Sequence, residues 1–229
     1  MYHKIGMVVA INNELLAVFD RLGEPKETKQ HGRMDLHVYE SEGMTWYIVH
    51  SGAGEIGAAA ATELLISCYE VDVILNFGVV GGLTDEMAMN RTAVVTKVVH
   101  YEYDASEFDP VKPGQYEELP DEFIPTTEAL YEKVTALFPN IKPVIAASAD
   151  KFVGDPDKKR ALHDSYGAEI CDMESAAIAL TCFRHNMPVL IIKTVSDGVT
   201  DGAEGFAKSC RSSALLCFDA AMKVFGGIR

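Results

Sequence analysis

The sequence has 229 residues, 48% of them apolar, and a formal net charge of −14. That length and apolar share suit a folded α/β chain with a sizeable core and exclude a disordered one. The charge excludes a nucleic-acid backbone as partner, because phosphate neutralisation needs clustered Lys and Arg. It leaves a small neutral or cationic ligand open.

Along the chain, IGMVV (residues 5–9) reads as a short buried strand, and Asn12 or Asn13 can cap a helix carrying Leu15, Leu16, Phe19 and Leu22. The opening apolar run is too short to span a membrane and lacks a signal-peptide cleavage pattern, so no membrane is expected as partner. Residues 35–50 alternate as a hairpin around Glu42-Gly43. A helix over 57–69 and a fully buried strand over 71–78 follow, then a Val- and Thr-rich strand over 92–103. Residues 104–125 hold prolines and acids without periodicity and predict a long loop of the kind that often serves as a binding lid. Next come a helix (126–138), a strand (143–148), a helix near 156–165, the stretch CDMESAAIALTCFRHN, a strand (188–195) ending in SDG, and a final helix over 203–225. Strands alternating with helices, plus one antiparallel hairpin, predict a three-layer α/β sandwich with a mixed central sheet. No linker or repeat interrupts the chain, so residues 1–229 are expected to form one domain.

Cys68, Cys171, Cys182, Cys210 and Cys217 are odd in number, lie in apolar segments and make no CxxC pair. Buried free thiols in a reducing cytoplasm are the expectation. The seven histidines form no ligand pattern such as HExxH, and no metal is expected.

GAGEIG (52–57) matches the G-x-G-x-x-G dinucleotide pattern, after a predicted strand and at the start of a helix. The strand after it ends at Asn76 rather than at an acid that could hold ribose hydroxyls. The motif also follows earlier strands instead of opening the unit, so a tight turn without cofactor is the better reading. NFGVVGGLTDE (76–86) is no P-loop, since no Gly-Lys-Ser/Thr follows; it reads as a glycine turn beyond a buried strand, where open α/β sheets place ligands.

Three acids stand at strand ends or helix starts: Glu14, Glu174 and Asp197. Singly, each reads as a helix-dipole or turn acid. Together, at matching ends of one sheet, they suit glycosidic-bond hydrolysis, where protonation and water activation need separate groups.

The ordered set KIGMVVAINNEL, SGAGEIGAAAA, NFGVVGGL, SADKFV, DMES and TVSDG resembles the bacterial 5′-methylthioadenosine/S-adenosylhomocysteine nucleosidases of the purine and uridine phosphorylase superfamily, from residue 4 to about 200. That resemblance implies hydrolysis of the N-glycosidic bond of 5′-substituted adenine nucleosides without a cofactor. It implies that Glu14 polarises the attacking water, Glu174 holds the ribose hydroxyls, and Asp197 protonates purine N7 with Ser196 orienting it. Phe152 would stack on the base, the Val153 backbone would read its edge, and Met173 would wall the sugar, while Asp172 would serve local hydrogen bonding or the helix start. Ile11 and Gly78 would lie at the nucleoside, and Lys193 at the water. Phe108 would reach the neighbouring subunit's 5′ pocket, which implies a homodimer.

The chain departs from the family pattern at Val79, where a serine is usual, at Lys193, where an arginine is usual, and at Ala53, where a larger apolar residue is common near the 5′ pocket. Lys193 keeps the charge without the planar fork. Futalosine-like nucleosides are the substrates of related enzymes. A phosphorylase of the same fold, a non-catalytic nucleoside-binding or storage member, and a dinucleotide-dependent oxidoreductase are the competing readings. The absence of an arginine at the candidate strand ends favours hydrolysis over phosphorolysis.

Overall fold

The computed structural model describes residues 2–41 and 43–226. Its elements run β1 (Lys4–Val9), α1 (Asn12–Leu22), β2 (Glu27–His31), β3 (Met34–Ser41), β4 (Met44–His50), α2 (Glu55–Tyr69), β5 (Val73–Gly82) and β6 (Thr92–His100). The second half runs β7 (Phe123–Pro125), α3 (Glu128–Leu137), β8 (Lys142–Ser148), α4 (Pro156–Tyr166), β9 (Ile170–Asp172), α5 (Ser175–Arg184), β10 (Val189–Asp197) and α6 (Gly202–Val224).

β5 is the hub of the mixed sheet. It pairs in parallel with β1 and β10 and antiparallel with β9. From β1 the sheet extends through parallel β4 into the antiparallel meander β4–β3–β2. On the other side β10–β6–β8–β9 returns to β5, so five strands close into a ring. The sequence pattern predicts the layers but not this closure, which depends on pairings between strands far apart in the chain.

The layers follow from period-two alternation in strands buried on both faces. Ile5, Met7, Val9, Val73, Leu75 and Phe77 point into the core under α1, α3 and α6, with Val18, Val134 and Phe218. Val8, Ile74, Val189 and Ile191 point the other way, toward Ala58, Ala61 and Leu65 of α2 and Ile178 of α5. The Ala-rich sequence of α2 lets it lie close to the sheet.

Several sequence expectations shift. Neither Asn12 nor Asn13 caps α1; Ile11 is the N-cap, and the Glu14 side chain reaches back to accept from its N–H. The hairpin lies where expected, although Glu42 is outside the described residues, and β2 adds a third strand to it. The strand from Thr92 stops at His100, and β7 forms at the end of the expected loop by pairing with β6. Cys68 is exposed, whereas the other four thiols are buried.

The second glycine cluster is not a turn. β5 runs through it to Gly82, and Gly78, Gly81 and Gly82 have no left-handed φ. These glycines supply room. A Cβ on Gly78 would lie 2.5 Å from Glu14 Oε1, and one on Gly82 would lie 1.9 Å from the Met87 carbonyl oxygen.

Candidate active site

The parallel strands β1, β5 and β10 end on the same side, where open α/β sheets hold ligands. A cleft open to solvent at its mouth lies there, and its lining includes Glu14, Glu174 and Asp197. Each of the three acids comes from a different strand end.

Glu14 sits in the first turn of α1, 3% exposed. Ala10 and Ile11 N–H both donate to Oε2 at 3.1 Å, and Val79 N–H donates to Oε1 at 2.9 Å. Burial raises its pKa, opposed by the charge of Lys193 and by these three N–H groups. The result is a basic carboxylate in a fixed orientation. The Val79 side chain offers no donor, but its backbone does.

Glu174 is the N-cap residue of α5, 7% exposed. Gly54 N–H donates to its Oε1 at 2.9 Å. Burial first, and then the charge of Asp172, push it up to about 7. Two N–H groups of the GAGEIG turn are therefore occupied by carboxylates of the chain itself, since Glu55 N–H donates to Asp150 Oδ1 at 2.6 Å. That leaves the dinucleotide pattern a turn, held by Gly54 at φ 105°.

Asp172, at the end of β9, also lines the cleft, but its carboxylate is engaged by the chain itself. Its Oδ2 pairs with Lys193 Nζ at 2.8 Å, both side chains 2% exposed, and its Oδ1 accepts from Ser175 N–H at 3.2 Å. Burial works to raise its pKa, but Lys193 and the Ser175 hydrogen bonds overcome it and hold the carboxyl below its ordinary value. The helix-start role expected of Asp172 is present, together with an ion pair that local sequence does not reveal.

Asp197 is the last residue of β10, 1% exposed. Ser196 Oγ donates to its Oδ1 at 2.9 Å, and Lys159 Nζ donates to its Oδ2 at 2.7 Å. Burial raises its pKa, opposed chiefly by Lys159.

Phe152 and Phe206 meet edge to face, with ring centroids 5.6 Å apart, and both line the cleft. Val153, Met173, Ile11, Ser196 and Ala53 line it as well. Gly78 and Lys193 do not; they lie beneath it, Gly78 giving way to Glu14 and Lys193 bound to Asp172. Phe108 is 79% exposed in the loop between β6 and β7, away from this chain's own cleft.

Sequence reasoning missed Lys159, Phe206 and Glu55. Glu55 is a buried carboxyl that accepts from Ser148 Oγ at 2.6 Å and from Ala177 N–H, and burial pushes it up to about 8. Its only sequence signal is an acid directly after a glycine turn at a helix start.

The chain's similarity to known proteins fits this geometry. The family model described as the phosphorylase superfamily matches residues 4–224. The chain belongs to the phosphorylase superfamily. Within it, a 5′-methylthioadenosine/S-adenosylhomocysteine nucleosidase of Shewanella halifaxensis is 29% identical over 223 residues, covering 93% of this chain and 96% of that protein. The same enzyme name belongs to a Maridesulfovibrio salexigens protein, 27% identical over 219 residues, covering 92% of this chain and 93% of that one. Among solved structures, a Helicobacter pylori 5′-methylthioadenosine/S-adenosylhomocysteine nucleosidase in complex with a pyrrolidine-based ligand superposes with a TM-score of 0.92 at 23% identity, covering 98% of each chain. A futalosine hydrolase of Helicobacter pylori gives the same TM-score and identity, covering 98% of this chain and 97% of that one.

Proposed function

We propose that this superfamily member is a nucleosidase, hydrolysing the N-glycosidic bond of 5′-substituted adenine nucleosides such as 5′-methylthioadenosine and S-adenosylhomocysteine. The observation that carries this reading is the charge inventory of the cleft. Four buried carboxylates, Glu14, Asp172, Glu174 and Asp197, are in its lining, no arginine is in that lining among the described residues, and the lysines are all paired: Lys151 at the rim with Glu102, and Lys159 and Lys193 beneath with Asp197 and Asp172. A phosphate dianion would meet Glu14 and Glu174 without a free cation to hold it, whereas water needs only an acceptor.

The chemistry follows from the positions. With the purine stacked on Phe152 and the sugar on Met173, Asp197 gives a proton to N7, so that the base leaves neutral as the C–N bond breaks. The ribose becomes oxocarbenium-like, and Glu174, accepting from the ribose hydroxyls, stabilises the growing positive charge. Glu14 takes a proton from the attacking water; its raised basicity and its three N–H anchors suit that role. The named activity of the relatives supports the same substrate class.

On this reading the protein acts in the cytoplasm, with a small nucleoside as substrate and a second copy as partner. The exposure of Phe108 fits a side chain that completes the neighbouring subunit's 5′ pocket.

The test is adenine release from 5′-methylthioadenosine, followed by chromatography with and without phosphate. Release without phosphate is expected. Release only with phosphate would establish a phosphorylase instead, and no release from this nucleoside, from S-adenosylhomocysteine or from futalosine would overturn the enzymatic reading.

A further inference from the structure

α4 presents one buried residue, Lys159, in the charged run DPDKKRALHD. Its ammonium is 0% exposed and has all three donors engaged: Asp197 Oδ2 at 2.7 Å, the Gly198 carbonyl at 2.8 Å and the Asp197 carbonyl at 3.3 Å. The surroundings are shaped for this contact. A Cβ on Gly81 would lie 3.2 Å from Lys159 Nζ and 3.3 Å from Asp197 Oδ2, so β5 carries a glycine where the pair sits.

We propose that Lys159 is a positioning residue for the glycosidic cleavage: it clamps Asp197 by one oxygen and stabilises the carboxylate that Asp197 becomes when its proton passes to the purine. This rests on the nucleosidase reading. Lys159 touches neither substrate nor water; it acts through Asp197. The electron pair of the breaking C–N bond goes to the base, the Asp197 proton goes to N7, and the negative charge left behind forms 2.7 Å from an ammonium already in place. That attraction is weak while Asp197 is protonated and full once the proton has left. It therefore lowers the barrier rather than merely tightening binding. The opposite edge of the carboxylate is steadied by Ser196 Oγ, whose own backbone carbonyl accepts from Ser209 Oγ of α6.

The other titratable groups facing the pair are Asp201 before α6, Cys171 on β9 and Cys210 on α6. Asp201 is engaged by Gly198 N–H at 2.8 Å. Lys159 is thus the cation that offsets the negative groups around Asp197.

The experiment compares Lys159→Met and Lys159→Gln with the parent on two substrates. One is 5′-methylthioadenosine; the other is 4-nitrophenyl 5-methylthioriboside, whose leaving group departs as an anion and needs no protonation. Adenine release should lose about tenfold or more in kcat, a share of what a general acid supplies. KM should change little, and the alkaline limb of kcat should move to higher pH. Nitrophenolate release should stay within about threefold of the parent, which also certifies the fold. In an Asp197→Asn background, Lys159→Gln should cost adenine release nothing further.

Equal losses on both substrates, an unmoved alkaline limb, or a full additional loss in the Asp197→Asn background would each overturn the inference and leave Lys159 a structural residue. If Lys159→Met does not fold, Lys159→Gln, which keeps an amide to donate to the Gly198 carbonyl, decides the matter by the same readouts. Failure of the parent to release adenine at all would overturn the nucleosidase reading itself, a separate result.

Discussion

Two buried lysine–aspartate pairs flank the cleft, and they do different work. At the water end, Lys193 holds Asp172, an acid that lines the cleft, while Glu14 and Glu174 make no ion pair among the described residues and feel the Lys193 charge only at longer range. At the base end, Lys159 holds Asp197, the acid assigned to the chemistry itself. The first pair removes a surplus negative charge from the sugar site; the second places a positive charge against the group that must become negative. Nearly the same distance, 2.8 Å in one and 2.7 Å in the other, thus serves architecture at one end and, on the proposed mechanism, proton transfer at the other.

The largest expected effect breaks the base end. Asp197→Asn removes the proton donor but leaves Lys159 three neutral acceptors, so kcat for adenine release should fall by about 10²–10⁴-fold. Binding of 5′-methylthioadenosine, read by calorimetry, should change little. Turnover within about tenfold of the parent would remove Asp197 from its role.

At the water end, Glu174→Ala should lower kcat/KM on the riboside by about 10²-fold, and on the 2′-deoxyriboside far less. Because Glu174 offsets the positive charge on the sugar only when ionised and is pushed up to about 7, kcat/KM should fall as pH drops through that region. Equal losses on the two sugars would undo the assigned contact.

Breaking the first pair should register in stability. Lys193→Met leaves Asp172 buried without its counter-charge, at a cost of about 3–5 kcal/mol in denaturant unfolding. Adding Asp172→Asn should restore much of it, since the uncompensated charge is then gone. Independent, additive losses would mean that the two side chains are not a pair in solution.

The smallest effect concerns Glu55, which lies in neither pair. Its folded pKa of about 8 stands above the ordinary 4.5, so the folded chain binds more protons than the unfolded one between those values. Its contribution to stability is full below about 4.5 and is lost as pH rises through 8. Glu55→Gln can still accept from Ala177 N–H and donate to Ser148 Oγ, and it should flatten that decline. A Tm–pH slope unchanged by the substitution would show that Glu55 is ionised in the folded state.

Much of the molecule was legible in the sequence where a signal was local and periodic. β1, β5 and β10 showed as apolar runs, and α2 and α6 as helical stretches, because burial on both faces or one stripe repeats with the element's own period. The acids Glu14, Glu174 and Asp197 stood out because each follows such a run at a strand end. The reading of NFGVVGGL as a turn failed for the converse reason. Glycine marks either a bend or a close approach, and only the Glu14 carboxylate and Met87 carbonyl packed against these positions distinguish the two.

What the sequence determined by itself was the order of the main strands and helices, without the short strands β2, β7 and β9, the two apolar faces and the identity of the acids that end the strands. Those follow from side-chain type and spacing, which act over a few residues. What only the tertiary structure decided was partnership: the ring closed by β9 and β10 on β5, Lys193 with Asp172, and Lys159 with Asp197 across 38 residues. Spacing along the chain carries no record of which lysine meets which carboxylate, because a charge is stabilised by whatever stands within a few ångströms of it in the folded core.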